Sequence, residues 1–228
     1  MATIGYKLTD KNMQTYKGFK WELGKTVETN GDGELCGPGW LHYYSSPLVA
    51  VLHNPTHGNI KEPHLFKVRI EGKLKHDMGM KSGCTMMTLI EELEVPIVTT
   101  EQRIIYAILC AKSVYSEPPW AKWADNWLSA VDRSTAAAAS AAAASDAASD
   151  AAYYAAYAAY TAYEAAYCAA HVAYAASAAV CAADAVCAAD AVCAANVASA
   201  AAAKELDLDA LAEQAVSYNN KEEAPLGQ

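Results

Sequence analysis

Residues 136–203 contain no glycine, proline, lysine or arginine, and 39 of these 68 residues are alanine. Glycine and proline most often end a helix, whereas alanine has the highest intrinsic helix propensity. A single rod of this length would extend about 100 Å, so we expect several closely packed helices. The Val-Cys pair that recurs every six residues from Val180 to Cys193 also suggests a β-solenoid, but alanine is depleted in strands. The prediction is an alanine-rich helical bundle.

The sequence also lacks segments that would export the protein or anchor it in a membrane. No apolar signal-peptide core follows Met1. The apolar stretch after residue 177 is interrupted by Asp184, Asp190 and Asn196, which disfavours a membrane span. Seven cysteines, an odd number without a secretion signal, are typical of reduced thiols. We therefore expect a cytoplasmic protein with no membrane partner.

Basic residues are scarce in the second half of the chain. Residues 134–228 hold 2 basic and 11 acidic side chains, whereas residues 1–133 hold 15 of each. The second half thus accounts for the whole formal net charge of -9. Nucleic acid is disfavoured as a partner, because phosphate contacts require lysine and arginine. A positively charged protein surface suits this half better.

Familiar catalytic motifs are absent as well. The chain has no Gly-x-x-x-x-Gly-Lys-Ser/Thr loop, no Gly-x-Ser-x-Gly elbow, no Cys-x-x-Cys pair and no His-Glu-x-x-His helix. Their absence disfavours the enzyme classes that these motifs define.

Before the alanine-rich region, the pattern predicts a mixed domain. Strands are expected at residues 3–8, 18–23 and 64–70 from alternation bounded by turn residues. Ser46 and Pro47 predict the start of a helix that Asn54-Pro55 would end.

Further helices are expected from apolar spacing at residues 85–93, at 101–114 with Thr100 as cap, at 120–131, and from Asp207 or Asp209 to Val216. The predicted fold class is α+β. A strand-rich domain would occupy residues 1–95, the helical bundle 96–217 and a loose tail 218–228.

The densest aromatic cluster of the first domain comprises Trp40, His42, Tyr43 and Tyr44, beside a glycine-rich turn. Aromatic faces with a few polar groups suit a nucleotide-like small molecule. The cluster is therefore a candidate binding site, with a purely structural role for His42 as the alternative.

Two further candidate sites lie in the alanine-rich region. Tyr153, Tyr160, Tyr167 and Tyr174 recur every seven residues, a spacing that forms one helix face and suits either core packing or a partner groove. Glu164, Cys168 and His171 stand at i, i+4 and i+7. Their donor atoms could coordinate zinc, although packing and solvation explain the same residues.

Two resemblances extend this interpretation. The run Gly18-Phe-Lys-Trp-Glu-Leu-Gly-Lys25, Glu34-Leu-Cys36 and Gly39-Trp-Leu-His42 resembles a small uncharacterised domain of bacteriophage proteins, with Trp40 as an extra residue. Residues 101–217, through Ile108-Leu-Cys-Ala111 and Trp123-Ala-Asp-Asn-Trp127, are similar to alanine-rich immunity proteins of bacterial toxin systems. Together they imply a phage or prophage accessory protein in the bacterial host cytoplasm.

The leading hypothesis is a non-catalytic protein that binds and neutralises a host-defence or toxin factor, either a protein or a nucleotide-like signal. One alternative is a diverged ADP-ribosyltransferase-like enzyme that uses His42 and Tyr43. Another is an assembly protein whose bundle forms homo-oligomers.

Overall fold

The computed structural model describes residues 3–77, 81–114, 116, 118–134, 136–138, 140–141 and 207–218, and it contains both strands and helices. The fold is therefore α+β. The strands are β1 (Thr3–Thr9), β2 (Gln14–Thr15), β3 (Phe19–Lys20), β4 (Thr26–Glu28), β5 (Leu41–Tyr43), β6 (His64–Asp77) and β7 (Lys81–Leu93). The helices include α1 (Pro47–His57), α2 (Thr100–Val114), α3 (Pro118–Leu128) and a helix at Leu208–Ser217. The predicted alanine-rich bundle lies almost entirely outside these residues.

The chain divides into two compact units, of which the first contains residues up to Ile97 and the second begins at Val98. Residues 207–209 belong to the first unit.

The first unit is organised around the long antiparallel pair of β6 and β7. Strand β1 pairs with β6 on one side, and β4 pairs with β7 on the other, giving the order β1-β6-β7-β4. Strand β5 pairs with the first part of β7, through Leu41 opposite Cys84 and Tyr43 opposite Ser82. The result is a sheet of five antiparallel strands.

The sheet curves until its two sides meet. Tyr6 donates its backbone N–H to Tyr44 O at 3.0 Å, and Tyr44 N–H returns the bond to Tyr6 O at 2.8 Å. These bonds connect β1 to the end of β5. The concave face encloses one apolar core, formed by Trp21, Leu41, Tyr43, Phe66, Val68, Ile70, Cys84, Met87 and Leu89. A second core contains Leu8, Ala50 of α1 and Leu65.

The prediction of a helix at residues 85–93 is wrong, because this segment is the second half of β7. At the centre of this segment the side chains are buried on both faces, since Met87 is 0% exposed and Thr88 is 3% exposed. A strand covered on both faces loses the polar–apolar alternation that identifies a half-exposed strand. The apolar run could therefore be mistaken for a helix.

Helix α1 begins as predicted, since Ser46 Oγ accepts a hydrogen bond from Val49 N at 3.3 Å and Pro47 opens the first turn. Its predicted end is wrong, because the helix continues through Pro55 to His57. A proline in the last turn removes only one backbone donor. Asn54 then holds the exit, accepting from Ile60 N at 3.0 Å and donating to Ile60 O at 2.9 Å.

In the second unit, α2 is capped one residue earlier than predicted. Thr99 Oγ1 accepts from Gln102 N at 3.1 Å, and Gln102 Oε1 accepts from Thr99 N at 2.9 Å. These reciprocal bonds form a capping box. In α3, the tryptophans at spacings of three and four are buried as an apolar face: Trp120, Trp123 and Trp127. Across the described helices, none is long and apolar enough to span a membrane.

Candidate functional site

The predicted aromatic cluster lies on β5 and its flanks, and the structure separates its members. Trp40 is 9% exposed and donates its indole N–H to Gly33 O at 3.2 Å. It packs so closely on β7 that a Cβ placed on Gly83 would lie 3.1 Å from Trp40 Cβ. The ring therefore offers little surface to a ligand.

His42 points to the same loop as Trp40. Its Nε2 hydrogen-bonds to Leu35 O, and its own backbone oxygen accepts a bond from Lys7 Nζ at 2.8 Å. Burial lowers the pKa of His42, opposed in part by the bond to Leu35 O. The imidazole is thus neutral near pH 7, with Nε2 as the donor because a carbonyl can only accept.

Tyr43 and Tyr44 face different cores. Tyr43 is 5% exposed and lies in the concave core, where a Cβ on Gly5 would come within 2.6 Å of its ring. Burial raises the pKa of Tyr43. Tyr44 packs against the second core, where its hydroxyl bonds to His57 Nδ1 at 3.1 Å. The structure therefore brings Trp40 and His42 together but places the two tyrosines apart from them.

Beside Tyr44, a histidine pair on α1 is a feature that the sequence did not reveal. His53 and His57 are one turn apart, with ring centroids separated by 5.3 Å, and His57 stacks on Tyr44 at 5.9 Å. Burial lowers the pKa of His53 to about 3 and that of His57 to about 4. Both rings are neutral at physiological pH, so they act here as packing groups.

A buried amine in the concave core was also missed. Lys7 is 7% exposed, and its Nζ lies 4.7 Å from the centroid of the Trp21 ring. Burial lowers the pKa of Lys7 to about 8. Lys7 occupies an inward position of the predicted first strand. Sequence alternation alone, however, does not distinguish a buried lysine from an exposed one.

Residues 16–23 carry several exposed side chains that we call the exposed strip, comprising Tyr16, Lys17, Phe19, Lys20 and Leu23. Tyr16 is 83% exposed, Phe19 45% and Leu23 58%. Large apolar side chains of this kind are normally buried, and here three of them occur within eight residues.

The backbone beneath the exposed strip is firmly held. Trp21, 2% exposed, anchors it in the concave core and donates its indole N–H to Thr15 Oγ1 at 3.0 Å. Trp21 N donates to Met13 O at 2.8 Å, and Gly24 N donates to Leu89 O at 2.9 Å. The apolar side chains are therefore displayed on a supported segment.

An open cleft of about 410 Å³ adjoins the strip at Tyr16. Its charges balance, with Lys11 and Lys61 opposed by Asp10 and Glu62. The Asp10 carboxylate is occupied by the backbone N–H groups of Asn12 at 2.8 Å and Gln14 at 2.7 Å. The cleft therefore has no net charge of its own, and we treat it as the border of the exposed strip.

The remaining predicted sites fall outside the described residues. This holds for the tyrosines of the seven-residue repeat, Tyr153, Tyr160, Tyr167 and Tyr174, and for the predicted zinc ligands Glu164, Cys168 and His171. Within the part of the chain that the structure describes, no three His, Cys, Asp or Glu residues are placed to hold a metal ion.

Residues 3–101 match a family model described as a domain of unknown function (DUF7666). The match covers nearly all of the N-terminal part of the first unit, including the exposed strip and the β5 cluster, and less than half of the chain. No curated protein and no solved structure matches the chain.

Proposed function

We propose that this chain is a non-catalytic binding protein whose first unit docks onto a protein through the exposed strip. The observation that carries the proposal is the exposure of Tyr16, Phe19 and Leu23 on a supported backbone segment. Removing apolar area from water contributes roughly 25 cal/mol per Å². A partner that covers these side chains would therefore gain energy that the isolated chain does not use.

The composition of the strip suits a protein interface. Aromatic residues are enriched at the centres of such interfaces, and a few of them contribute most of the binding energy. Tyr16 and Phe19 are the candidate anchors. A supported backbone also reduces the entropy lost on binding, because fewer bonds become ordered.

The charge of the strip favours an acidic partner. Lys25 beside the strip is paired with Glu22 at 2.8 Å. Lys17 lies over the Tyr16 ring at 5.3 Å, and neither it nor Lys20 forms an ion pair among the described residues. Two lysines beside exposed aromatic rings would be complementary to carboxylates on a partner, which would speed association and help to select it.

The biological role that we propose is neutralisation of a toxin or host-defence protein in a bacterial cytoplasm. Docking through a surface predicts stoichiometric action without turnover. The ADP-ribosyltransferase-like enzyme predicts multiple turnovers that require His42. The acidic second half suits a basic surface on the same or another partner.

Affinity capture can test the docking surface. The full chain, immobilised, would be exposed to bacterial lysate, and captured proteins would be quantified by mass spectrometry against a variant carrying Tyr16→Ser, Phe19→Ser and Leu23→Ser. A matched control carries Ile97→Ser, Leu74→Ser and Val131→Ser, which also change exposed apolar residues. We expect acidic proteins captured by the native chain and by the control to be lost from the strip variant.

Equal capture by all three chains would overturn the proposal. Loss of self-association in the strip variant, seen by sedimentation without any captured partner, would instead identify the strip as a contact between copies of the chain. Release of the captured protein by moderate salt would support the contribution of Lys17 and Lys20, since exposed charges are screened within about 10 Å at 0.1 M salt.

A further inference from the structure

Cys36 and Lys81 stand 45 residues apart in the sequence and meet at the surface of the first unit. Lys81 donates a hydrogen bond through Nζ to Cys36 Sγ, and the two atoms are 3.2 Å apart. Cys36 is exposed, whereas the other cysteines that the structure describes, Cys84 and Cys110, are buried. From this contact we propose that hydrogen peroxide joins the two side chains through a covalent bond, which makes the pair a reversible modification site. The site is separate from the exposed strip.

The thiol is held in place by the loop that carries it. Leu35, the preceding residue, is 7% exposed and packs against β7, where a Cβ placed on Gly83 would lie 2.5 Å from Leu35 Cδ1. Leu35 O also accepts a hydrogen bond from Nε2 of His42. Cys36 is therefore fixed beside the start of β7, where Lys81 lies.

The amine is positioned by the sheet. Lys81 is the first residue of β7. The following residue, Ser82, pairs with Tyr43 of β5 on one edge and with His76 of β6 on the other. Because this end of the strand is paired on both edges, the Lys81 side chain starts from a supported backbone and reaches the sulfur across the loop.

The contact suits an oxidation in two steps. The Cys36 sulfur, as the thiolate, attacks one oxygen of hydrogen peroxide and breaks the O–O bond; with the return of the thiol proton, the products are a sulfenic acid and water. The neutral amine of Lys81 then attacks the same sulfur with its lone pair. An S–N bond forms while the S–O bond breaks, and the departing hydroxide takes a proton from nitrogen and leaves as water.

Atoms and electrons balance in this sequence. One thiol, one amine and one molecule of peroxide give one sulfenamide and two molecules of water. The sulfur is oxidised by two electrons, and the peroxide is reduced by two. Condensation of a sulfenic acid with a nearby nitrogen is an established type of reaction for cysteine.

The link would protect Cys36 from irreversible damage. A sulfenic acid that stays exposed to peroxide is oxidised further to sulfinic and sulfonic acids, which thiols do not reduce. Condensation with the amine stops this sequence. An added thiol that attacks the sulfur then releases the amine and returns the cysteine through a disulfide. The first unit would thus pass through a period of oxidation and recover both side chains.

Peptide mass spectrometry of the full chain can test the link. The protein would be treated with hydrogen peroxide at about pH 8.5, where a free thiol is partly ionised, and the remaining thiols would be alkylated under denaturing conditions. Trypsin does not cleave after a modified lysine, so the link leaves residues 26–61 and 76–103 joined. We expect this joined peptide at a mass about 2 Da below the sum of its two parts, from the loss of two hydrogens. Dithiothreitol, added before alkylation, should abolish it.

An oxygen retained in the bridge would also support the link. It would raise the mass of the joined peptide by about 16 Da, and fragmentation would place the oxygen between the two parts and not on a methionine. Such an S–O–N bond uses a second molecule of peroxide and releases a third molecule of water.

Two lysine variants provide the matched comparison. Lys81→Arg keeps a positive charge, but arginine is not deprotonated in proteins and so cannot attack the sulfur. The joined peptide should disappear, and Cys36 should instead be trapped as a sulfenic acid by dimedone. Lys75→Arg makes the same change at a lysine of β6 that donates to Gly33 O of the same loop at 3.2 Å, and it should leave the joined peptide unchanged. Cys84, 0% exposed, should remain a free thiol in all three proteins.

Other products would overturn the proposal. In one such outcome the native chain yields Cys36 as a sulfinic acid or a dimedone adduct, with no joined peptide. In another, residues 26–61 are joined to residues 82–103, which identifies a disulfide with Cys84 because trypsin has then cleaved after Lys81. Loss of the joined peptide from Lys75→Arg as well would contradict the assignment of the amine to Lys81.

Discussion

Two short aromatic segments of the first unit have opposite fates. Residues 40–44 hold Trp40, Tyr43 and Tyr44, and residues 16–23 hold Tyr16, Phe19 and Trp21. The first segment is placed in the sheet by β5 and is largely buried, whereas the second is exposed except for Trp21. Local aromatic density therefore does not identify a binding surface; strand pairing decides which rings reach solvent.

The difference arises from what each strand pairs with. Strand β5 lies along β7 and is connected to β1 through Tyr44, so both of its edges are paired in the sheet. Its side chains Leu41 and Tyr43 lie in the concave core. Strands β2 and β3 pair only with each other, as a two-stranded ribbon. Tyr16, between the two strands, is 83% exposed, and Phe19 on β3 is 45% exposed although its ring lies 5.3 Å from that of Trp21.

The largest expected effect is a loss of stability when an aromatic residue of the buried segment is truncated. Trp40→Ala removes a ring packed close to Gly83, and truncation of a buried tryptophan typically costs about 3–5 kcal/mol. We expect the free energy of unfolding, measured by urea denaturation, to fall by that amount. A loss below about 1 kcal/mol would show that Trp40 is less well packed than the structure indicates and would reopen the segment as a ligand site.

A second prediction concerns the buried amine next to the β5 segment. The ordinary pKa of lysine is 10.5, and burial lowers that of Lys7 to about 8. Between pH 8 and 10.5 the lysine is therefore protonated in the unfolded chain and largely neutral in the folded chain. Below pH 8 both states are protonated, and burying the charge costs up to about 3 kcal/mol. Lys7→Met should remove this cost and stabilise the fold at pH 7, by on the order of 2 kcal/mol after loss of the bond to His42 O.

The direction of this effect can be checked by measuring, as a function of pH, the difference in the free energy of unfolding between Lys7→Met and the native chain. The advantage of the variant should be full below pH 8 and disappear as pH rises towards 10.5. Comparison with the variant is needed because burial also raises the pKa of Cys84 to about 11. That shift reduces the stability of both proteins above pH 9, and more strongly in the variant, because the charge of Lys7 lowers the pKa of Cys84. A difference that does not change with pH would contradict a buried charge at Lys7.

A third prediction concerns the histidine pair beside Tyr44, in the buried segment, which should make the stability of the fold sensitive to acid. Burial lowers the pKa of His53 to about 3, with further lowering from His57 and Lys81. The fold keeps His53 neutral, so stability is full above pH 6.5 and is lost as pH falls towards 3. Between pH 6.5 and 5 the loss should be on the order of 2 kcal/mol. His53→Phe should reduce this dependence to the part that His57 contributes, because burial also lowers the pKa of His57 to about 4. An unchanged slope would assign the acid sensitivity to other groups.

Sequence patterns predicted the local features of the fold well. The alternation of β1, the Ser46 cap of α1 and the tryptophan face of α3 each follow from residues close together in the chain. They failed for β7, whose centre is buried on both faces, and for Pro55, which the last turn of α1 tolerates. They also did not reveal the burial of Lys7 or the exposure of Tyr16, because both depend on which distant strands pair.

The smallest effect on stability is expected at the exposed strip, and it gives the clearest contrast with the buried segment at residues 40–44. Tyr16 is 83% exposed, and its described ring contact is with Lys17. Surface substitutions of this kind usually change stability by less than about 0.5 kcal/mol. Tyr16→Ser should therefore unfold at nearly the native urea concentration while weakening partner capture. The same substitution at Tyr43, 5% exposed, should give the reverse order of effects. If Tyr16→Ser lost stability as Tyr43→Ser does, the strip would be part of the fold and would no longer support a docking surface.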